Sequence, residues 1–140
     1  TTLFRSEVLV VETTEAMEER ARLVAKEFAS KFGGYNMYEG VGGWVSGEGE
    51  LIQEKHIRVS ANFDNSLSES EVALTACNAI IYACHQQDAV SLVINGTLYI
   101  FDTYKGDMEP EQLDILHEKV RKAVEDNYKQ DKEEQDNEEQ

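Results

Sequence analysis

The chain is short of basic residues, cysteine, proline and long apolar runs, and each shortage excludes something. Lys and Arg number 13 against 28 Asp and Glu in 140 residues, a formal charge of −15. Nucleic-acid binding depends on a cationic face that neutralises phosphates, so ordinary polyanion binding is excluded. An anionic membrane surface is disfavoured for the same reason. No apolar stretch approaches the ~18–20 residues of a membrane span, and no secretory h-region opens the sequence. Two cysteines, Cys77 and Cys84, make no disulfide framework. Phosphate loops, dinucleotide-binding glycine fingerprints, Cys-x-x-Cys pairs and zinc-type histidine spacings are all missing. A soluble, cytoplasmic protein without a metal or cofactor is the expectation.

Hydrophobic residues make up 41%, enough for a core, and the length suits one domain with a tail. Residues 1–128 are expected to form that domain. Residues 129–140 read KQDKEEQDNEEQ, with two lysines, six acids and nothing apolar to bury. They should be an acidic tail, disordered or a frayed helix end. The tail carries −4, which leaves −11 for the body.

The pattern predicts strand, helix, strand, strand, helix, strand over residues 6–104. Val8 to Val11 form an apolar strand, and Thr13 or Thr14 can cap the helix after it. Met17, Ala21, Val24, Phe28 and Phe32 recur at helical spacing, and Gly33-Gly34 ends that helix. Tyr35 to Val45 is a strand, followed by a turn at Ser46-Gly47-Glu48-Gly49. In the next strand Ile57, Val59, Ala61 and Phe63 alternate with His56, Arg58, Ser60 and Asn62, so one face is core and the other polar.

Ser68 and Glu71 have the spacing of a capping box. The helix they open, Val72 to about His85, is apolar on two stripes and must be covered twice, by its sheet and by the last helix or a neighbouring subunit. Both cysteines lie in one stripe and read as buried, inert thiols. Ala89 to Ile94 and Thr97 to Phe101 flank Asn95-Gly96, a hairpin turn. Pro110 opens a last amphipathic helix through Leu113, Leu116, Val120, Ala123 and Val124. The order βαββαβ defines an α+β, ferredoxin-like antiparallel sheet with two packed helices, plus a C-terminal helix. Fold-level analogy adds a homo-oligomer, a trimer being the expected form.

Residues 35–58 concentrate Tyr35, Tyr38 and Trp44 with Glu39, Glu48, Glu50 and Glu54, and hold five glycines. Ring faces and carboxylates both attract a cation, and glycines let a ligand approach the backbone. The competing reading is an exposed hairpin with ordinary surface acids. Trp44 is either a core or interface anchor or a stacking ring. Gln86-Gln87-Asp88 joins helix to strand and reads most simply as a polar helix end.

At two stretches the chain resembles the bacteriophage enzymes that degrade S-adenosylmethionine (SAM), the SAM lyases formerly called SAM hydrolases. The stretches are Gln53-Glu54-Lys55-His56-Ile57-Arg58-Val59 and Ala83 to Val93, which contains Cys84-His85-Gln86-Gln87-Asp88. The order and spacing of elements agree over roughly residues 6–100, and the known members are PII-like. The resemblance implies cleavage of SAM to methylthioadenosine and homoserine lactone, with no cofactor and with sites between subunits of a trimer. It carries Glu54 across as the leading site acid, holding the ammonium or sulfonium, and it includes Gln87 and Asp88. Tyr38, Glu39 and Trp44 are added as substrate contacts from the local chemistry. Two rivals stand beside this reading: a non-catalytic protein of the same fold that binds an adenine-containing ligand, and an acidic phage inhibitor that mimics DNA.

Overall fold

The computed structural model describes residues 3–11, 16–64, 66–84, 89–104 and 108–138. Five strands and three helices follow one another as β1 (Leu3–Val11), α1 (Ala16–Phe32), β2 (Asn36–Val45), β3 (Leu51–Asp64), α2 (Glu69–Ala83), β4 (Ala89–Ile94), β5 (Thr97–Asp102) and α3 (Pro110–Glu138). The strands form one sheet in the order β2-β3-β1-β4-β5, antiparallel at every junction. That is the α+β, ferredoxin-like arrangement expected from the residue pattern, with β5 added at one edge.

Local chemistry explains where the elements stop. Gly33 sits at φ 93° and donates to the Ala29 carbonyl at 3.0 Å, which closes α1 through the left-handed conformation that glycine tolerates. Ser68 caps α2, its hydroxyl accepting from the Glu71 amide at 3.2 Å. The Asn95-Gly96 turn has φ values of 49° and 85°, as a tight hairpin between β4 and β5 requires. Pro110 is the first residue of α3, and the Gln112 side chain accepts from the Glu109 amide at 2.9 Å. The Thr13 or Thr14 cap expected for α1 lies outside the described residues.

One face of the sheet carries the core. Ile57, Val59, Ala61 and Phe63 of β3, Val90, Leu92 and Ile94 of β4 and Phe101 of β5 are all buried. From α1, Ala21, Val24, Ala25 and Phe28 join them, and Phe32 stacks on Phe63 with ring centroids 4.5 Å apart. Fully burying side chains such as Phe28, Ile80 and Leu92 stabilises the fold by about 1.5–3 kcal/mol each before chain entropy is counted.

Helix α2 lies between α1 and α3, so the second cover its composition demanded is α3 itself. Asn78 of α2 donates to Glu27 of α1 at 3.0 Å, and the Thr75 hydroxyl donates to the Glu71 carbonyl at 2.8 Å. On the far side α3 lays Leu116, Val120, Ala123 and Val124 inward and reaches β5. Asn127, 3% exposed, donates from Nδ2 to the Ile94 carbonyl at 2.9 Å and so ties α3 to the β4–β5 hairpin. The helix continues through Glu138, so the acidic stretch to that point is helical. Exposed Arg121–Glu125 and Lys129–Glu125 pairs at 3.5 and 3.2 Å follow its surface. No helix among the described residues is long and apolar enough to cross a membrane.

Among the described residues, the other sheet face has no helix packed against it. Arg58 and Asn62 are exposed there, as alternation predicts, and so are Leu98 and Ile100. Ser60 departs from the expected polar face, since it is only 1% exposed. Its side chain is a single hydroxymethyl group on an interior strand, too short to reach solvent past its neighbours.

Candidate functional site

The β2–β3 hairpin outgrows the sheet. Its ladder runs from Asn36 opposite Ser60 to Val45 opposite Leu51, whereas β1 pairs with β3 only from Asp64 back to His56. Residues 51–55 of β3 are therefore paired on one side only, by β2, among the described residues. Ser46 holds the tip. Its hydroxyl accepts from the Glu50 amide at 3.2 Å, and its own amide donates to the Glu50 carbonyl at 2.8 Å. Its hydroxyl and carbonyl also accept from the Glu48 and Gly49 amides at 3.3 and 2.9 Å. Past the cover of the helices, Val41, Trp44, Val45 and Leu51 are all exposed. Trp44, at 52% exposure, is thus no core anchor of this chain, because its strand has left the core.

Strand alternation sorts the candidate residues by face. Tyr38, Gly40, Gly42 and Trp44 share one face with Ile52, Glu54, His56 and Arg58. The register places Tyr38 opposite Arg58, Gly40 opposite His56, Gly42 opposite Glu54 and Trp44 opposite Ile52. Three of the expected site residues, Tyr38, Trp44 and Glu54, are therefore brought to one face. Glu39, opposite Ile57, belongs to the other. Gln87 and Asp88 lie outside the described residues.

Gly40 and Gly42 make room for one of the protein's own side chains. A Cβ at Gly40 would come within 2.6 Å of His56 Nε2, and one at Gly42 would meet the same ring at 3.5 Å. The imidazole lies across the bare backbone of β2, in the space that the sequence had suggested for a ligand. Gly43 answers a different need, because its Cβ would stand 2.5 Å from the Ile52 carbonyl oxygen. Gly47 and Gly49 have open space around them in the turn, Gly49 at φ 84°.

Two open hollows meet at this ring. One, of about 330 Å³, lies by the start of α1 and is bordered by Met17, Glu18, Glu39, Val41, Lys55 and His56. The other, of about 360 Å³, is bordered by Tyr38, Glu39, His56 and Arg58. Both are of the size that small-molecule sites occupy. Glu39 and His56 border both, so the hollows adjoin at the β2 edge. Glu54 is half-buried one pleat beyond His56, towards the tip, outside both hollows.

The sequence reading missed the place of His56, Lys55 and the start of α1 in this region. The signal for His56 was present: a hairpin centred on residues 46–50 puts position 40 opposite position 56, a glycine facing a large ring. Met17 and Glu18 arrive only through the tertiary packing of α1.

Other reactive groups are remote or quiet. Burial pushes the Cys77 thiol up to about 11 and raises that of Cys84, whose Sγ donates to the Ile81 carbonyl at 3.1 Å. Thiolates are thereby disfavoured in both, in keeping with packing roles. Asp64, at the far end of β3, is held below the usual carboxylate range by the hydroxyl and amide of Ser66. Among the described residues no three His, Cys, Asp or Glu side chains converge as a metal site.

The fold and the site together define an α+β ferredoxin-like domain with a projecting, glycine-rich hairpin that carries aromatic, acidic and imidazole groups. No protein-family model and no curated protein matches the sequence. Among solved structures, the chain is similar to a phage SAM lyase in complex with S-methyl-5'-thioadenosine, with a TM-score of 0.53 and 13% identity over 71% of this chain and 89% of that one. A phage SAM lyase in the apo state gives a TM-score of 0.48 and 15% identity over 71% and 88%. The divalent ion tolerance protein CutA1 from Ehrlichia chaffeensis gives 0.46 and 11% over 83% and 95%. At these identities the likeness is one of fold.

Proposed function

We propose that the protein is a SAM lyase, releasing methylthioadenosine and homoserine lactone. The observation that carries this reading is the gathering of Tyr38, Trp44, Glu54 and His56 on one face of the projecting hairpin, in a fold shared with a phage SAM lyase. The ligand bound in that neighbour, S-methyl-5'-thioadenosine, is the nucleoside half of SAM.

The chemistry asks little of the protein. The sulfonium of SAM is already a leaving group. Its own carboxylate oxygen attacks the γ-carbon, the carbon–sulfur bond breaks, and the electron pair goes to sulfur. The products are a neutral thioether and a lactone, and no proton changes hands. A water-activating base is needed only for hydrolysis. The protein must fold the methionine part into an attack geometry and keep water away. Glu54 holds positive charge on the substrate and does not attack. Tyr38, Glu39 and Trp44 contact the substrate, and Gln87 and Asp88 complete the set.

The exposed apolar residues at the hairpin tip and Leu98 and Ile100 on the uncovered sheet face support a homo-oligomer, a trimer in this reading, with sites closed between subunits. An open hairpin on one subunit excludes water only when a second surface covers it.

The test is Glu54→Gln, assayed for methylthioadenosine release. The reading predicts turnover reduced at least about tenfold, equivalent to ~1.4 kcal/mol of transition-state stabilisation, with an unchanged circular dichroism spectrum. Unaltered turnover removes Glu54 from the site.

A further inference from the structure

The two hollows beside His56 differ in chemistry. The one by α1 sets two carboxylates, Glu18 and Glu39, around one ammonium, Lys55, with Met17 and Val41 as apolar walls. Two acids and one base are the complement of an α-amino acid head, whose ammonium seeks carboxylates and whose carboxylate seeks a cation. Glu18 also has Arg22 at 3.4 Å, but both side chains of that pair are well exposed, so a ligand can compete for the carboxylate. The other hollow offers flat groups, the Tyr38 and His56 rings and the Arg58 guanidinium. Nucleobases stack on such surfaces.

We propose that the two hollows are subsites for the two ends of one nucleoside–amino acid ligand, resting on the SAM reading. The hollow by α1 takes the amino acid head, and the Tyr38–His56–Arg58 hollow takes the adenine. The ligand crosses the β2 edge beside Gly40, whose bare backbone is covered on one face by the His56 ring, and that ring forms the wall that both ends touch. With the ammonium held by Glu18 and Glu39, the charge of Glu54, one pleat from His56 on the Tyr38 face, is left for the sulfonium.

Two non-cleavable probes separate the ends. S-Adenosylhomocysteine has both adenine and amino acid head but no sulfonium. Methylthioadenosine has the adenine half alone. Calorimetric binding of each to the full-length protein, wild type and variants, reads the assignment directly. Lys55→Gln and Glu18→Gln should each weaken S-adenosylhomocysteine about tenfold and change methylthioadenosine less than twofold. Tyr38→Ala and His56→Ala should weaken both probes by similar factors. All four side chains lie outside the buried core, and a thermal melt checks each variant for folding.

The assignment is overturned if Lys55→Gln weakens the two probes equally or not at all, or if Tyr38→Ala leaves methylthioadenosine binding intact. Failure of the lyase reading shows differently. Wild-type protein that gives the predicted binding pattern but leaves SAM uncleaved keeps the subsites and refutes the lyase. Wild-type protein that cleaves SAM but binds neither probe refutes the subsites and keeps the lyase, and protein that does neither refutes both.

Discussion

Alanine in place of Gly40 and of Gly43 should have different consequences, although the two positions are three residues apart on one strand. At Gly40 the new Cβ would meet His56 Nε2 at 2.6 Å, against an ordinary contact of 3.4–4 Å, so the ring must retreat by about 1 Å. That ring ends a rotatable side chain, and an off-rotamer shift costs about 0.5–1.5 kcal/mol. Replacing a strand glycine by alanine returns roughly 0.5–1 kcal/mol of backbone entropy. The net change at Gly40 is therefore within about 1 kcal/mol of zero. At Gly43 the Cβ would meet the Ile52 carbonyl oxygen at 2.5 Å, and only the backbone of the β2–β3 ladder can yield. Overpacking of that kind costs about 1–3 kcal/mol, against the same roughly 0.5–1 kcal/mol of backbone entropy returned. For a domain of this size the balance is a fall in Tm of up to roughly 8 °C. Thermal unfolding followed by circular dichroism measures both variants side by side. In parallel, the His56 ring resonances should move in Gly40→Ala and stay near wild type in Gly43→Ala. A Gly43→Ala protein that melts as high as Gly40→Ala, or an unmoved His56 in Gly40→Ala, refutes the account of the hairpin.

Three further outcomes follow from the packing and the site. Asn127→Ala should lower stability by about 1–3 kcal/mol in urea unfolding, because it leaves the Ile94 carbonyl without its buried amide donor; an unchanged midpoint would show that α3 is held by its apolar face alone. Cys77 keeps its proton to about pH 11 in the folded state, whereas an unfolded thiol loses it nearer pH 8.5. Its folded-state value is raised, so the stability it contributes is complete below the unfolded value and is lost as pH rises from about 9 towards 11; Cys77→Ala should flatten the stability curve in that window, and identical slopes would contradict the assignment. Native protein at pH 8 should also resist a thiol reagent at both cysteines until it is unfolded, and rapid labelling would mean that the α2 region opens readily.

The fold was legible where a physical device sits in a few adjacent residues. Asn95-Gly96, Gly33 and Ser68 mark their turns and caps by local chemistry alone, and the structure shows each doing so. The alternation of Ile57, Val59, Ala61 and Phe63 gave the core face of β3 for the same reason. The extent of β1 was harder. It begins at Leu3, five residues before the apolar run, because pairing with β3 and not composition sets its length. The acidic stretch after Tyr128 offered two readings, disorder or a helix end, and α3 continues into it as far as Glu138 from a first half packed on α2.

The candidate site divides along the same line. Tyr38, Trp44 and Glu54 share a face because hairpin register follows from the turn, which the sequence states openly. The glycines were read as access for a ligand, and two of them, Gly40 and Gly42, also make room for His56, a cross-strand matter visible only once position 40 is set against position 56. Met17 and Glu18 reach the hollow by the docking of α1, which no local pattern encodes.

The central claim is that SAM is cleaved by its own carboxylate. Incubating the full-length protein with SAM in oxygen-18 water, without added metal, and analysing the earliest products by mass spectrometry tests it most directly. The account predicts methylthioadenosine together with unlabelled homoserine lactone. SAM left intact at high protein concentration, or homoserine carrying oxygen-18 in its hydroxyl group from the first time point, would contradict it.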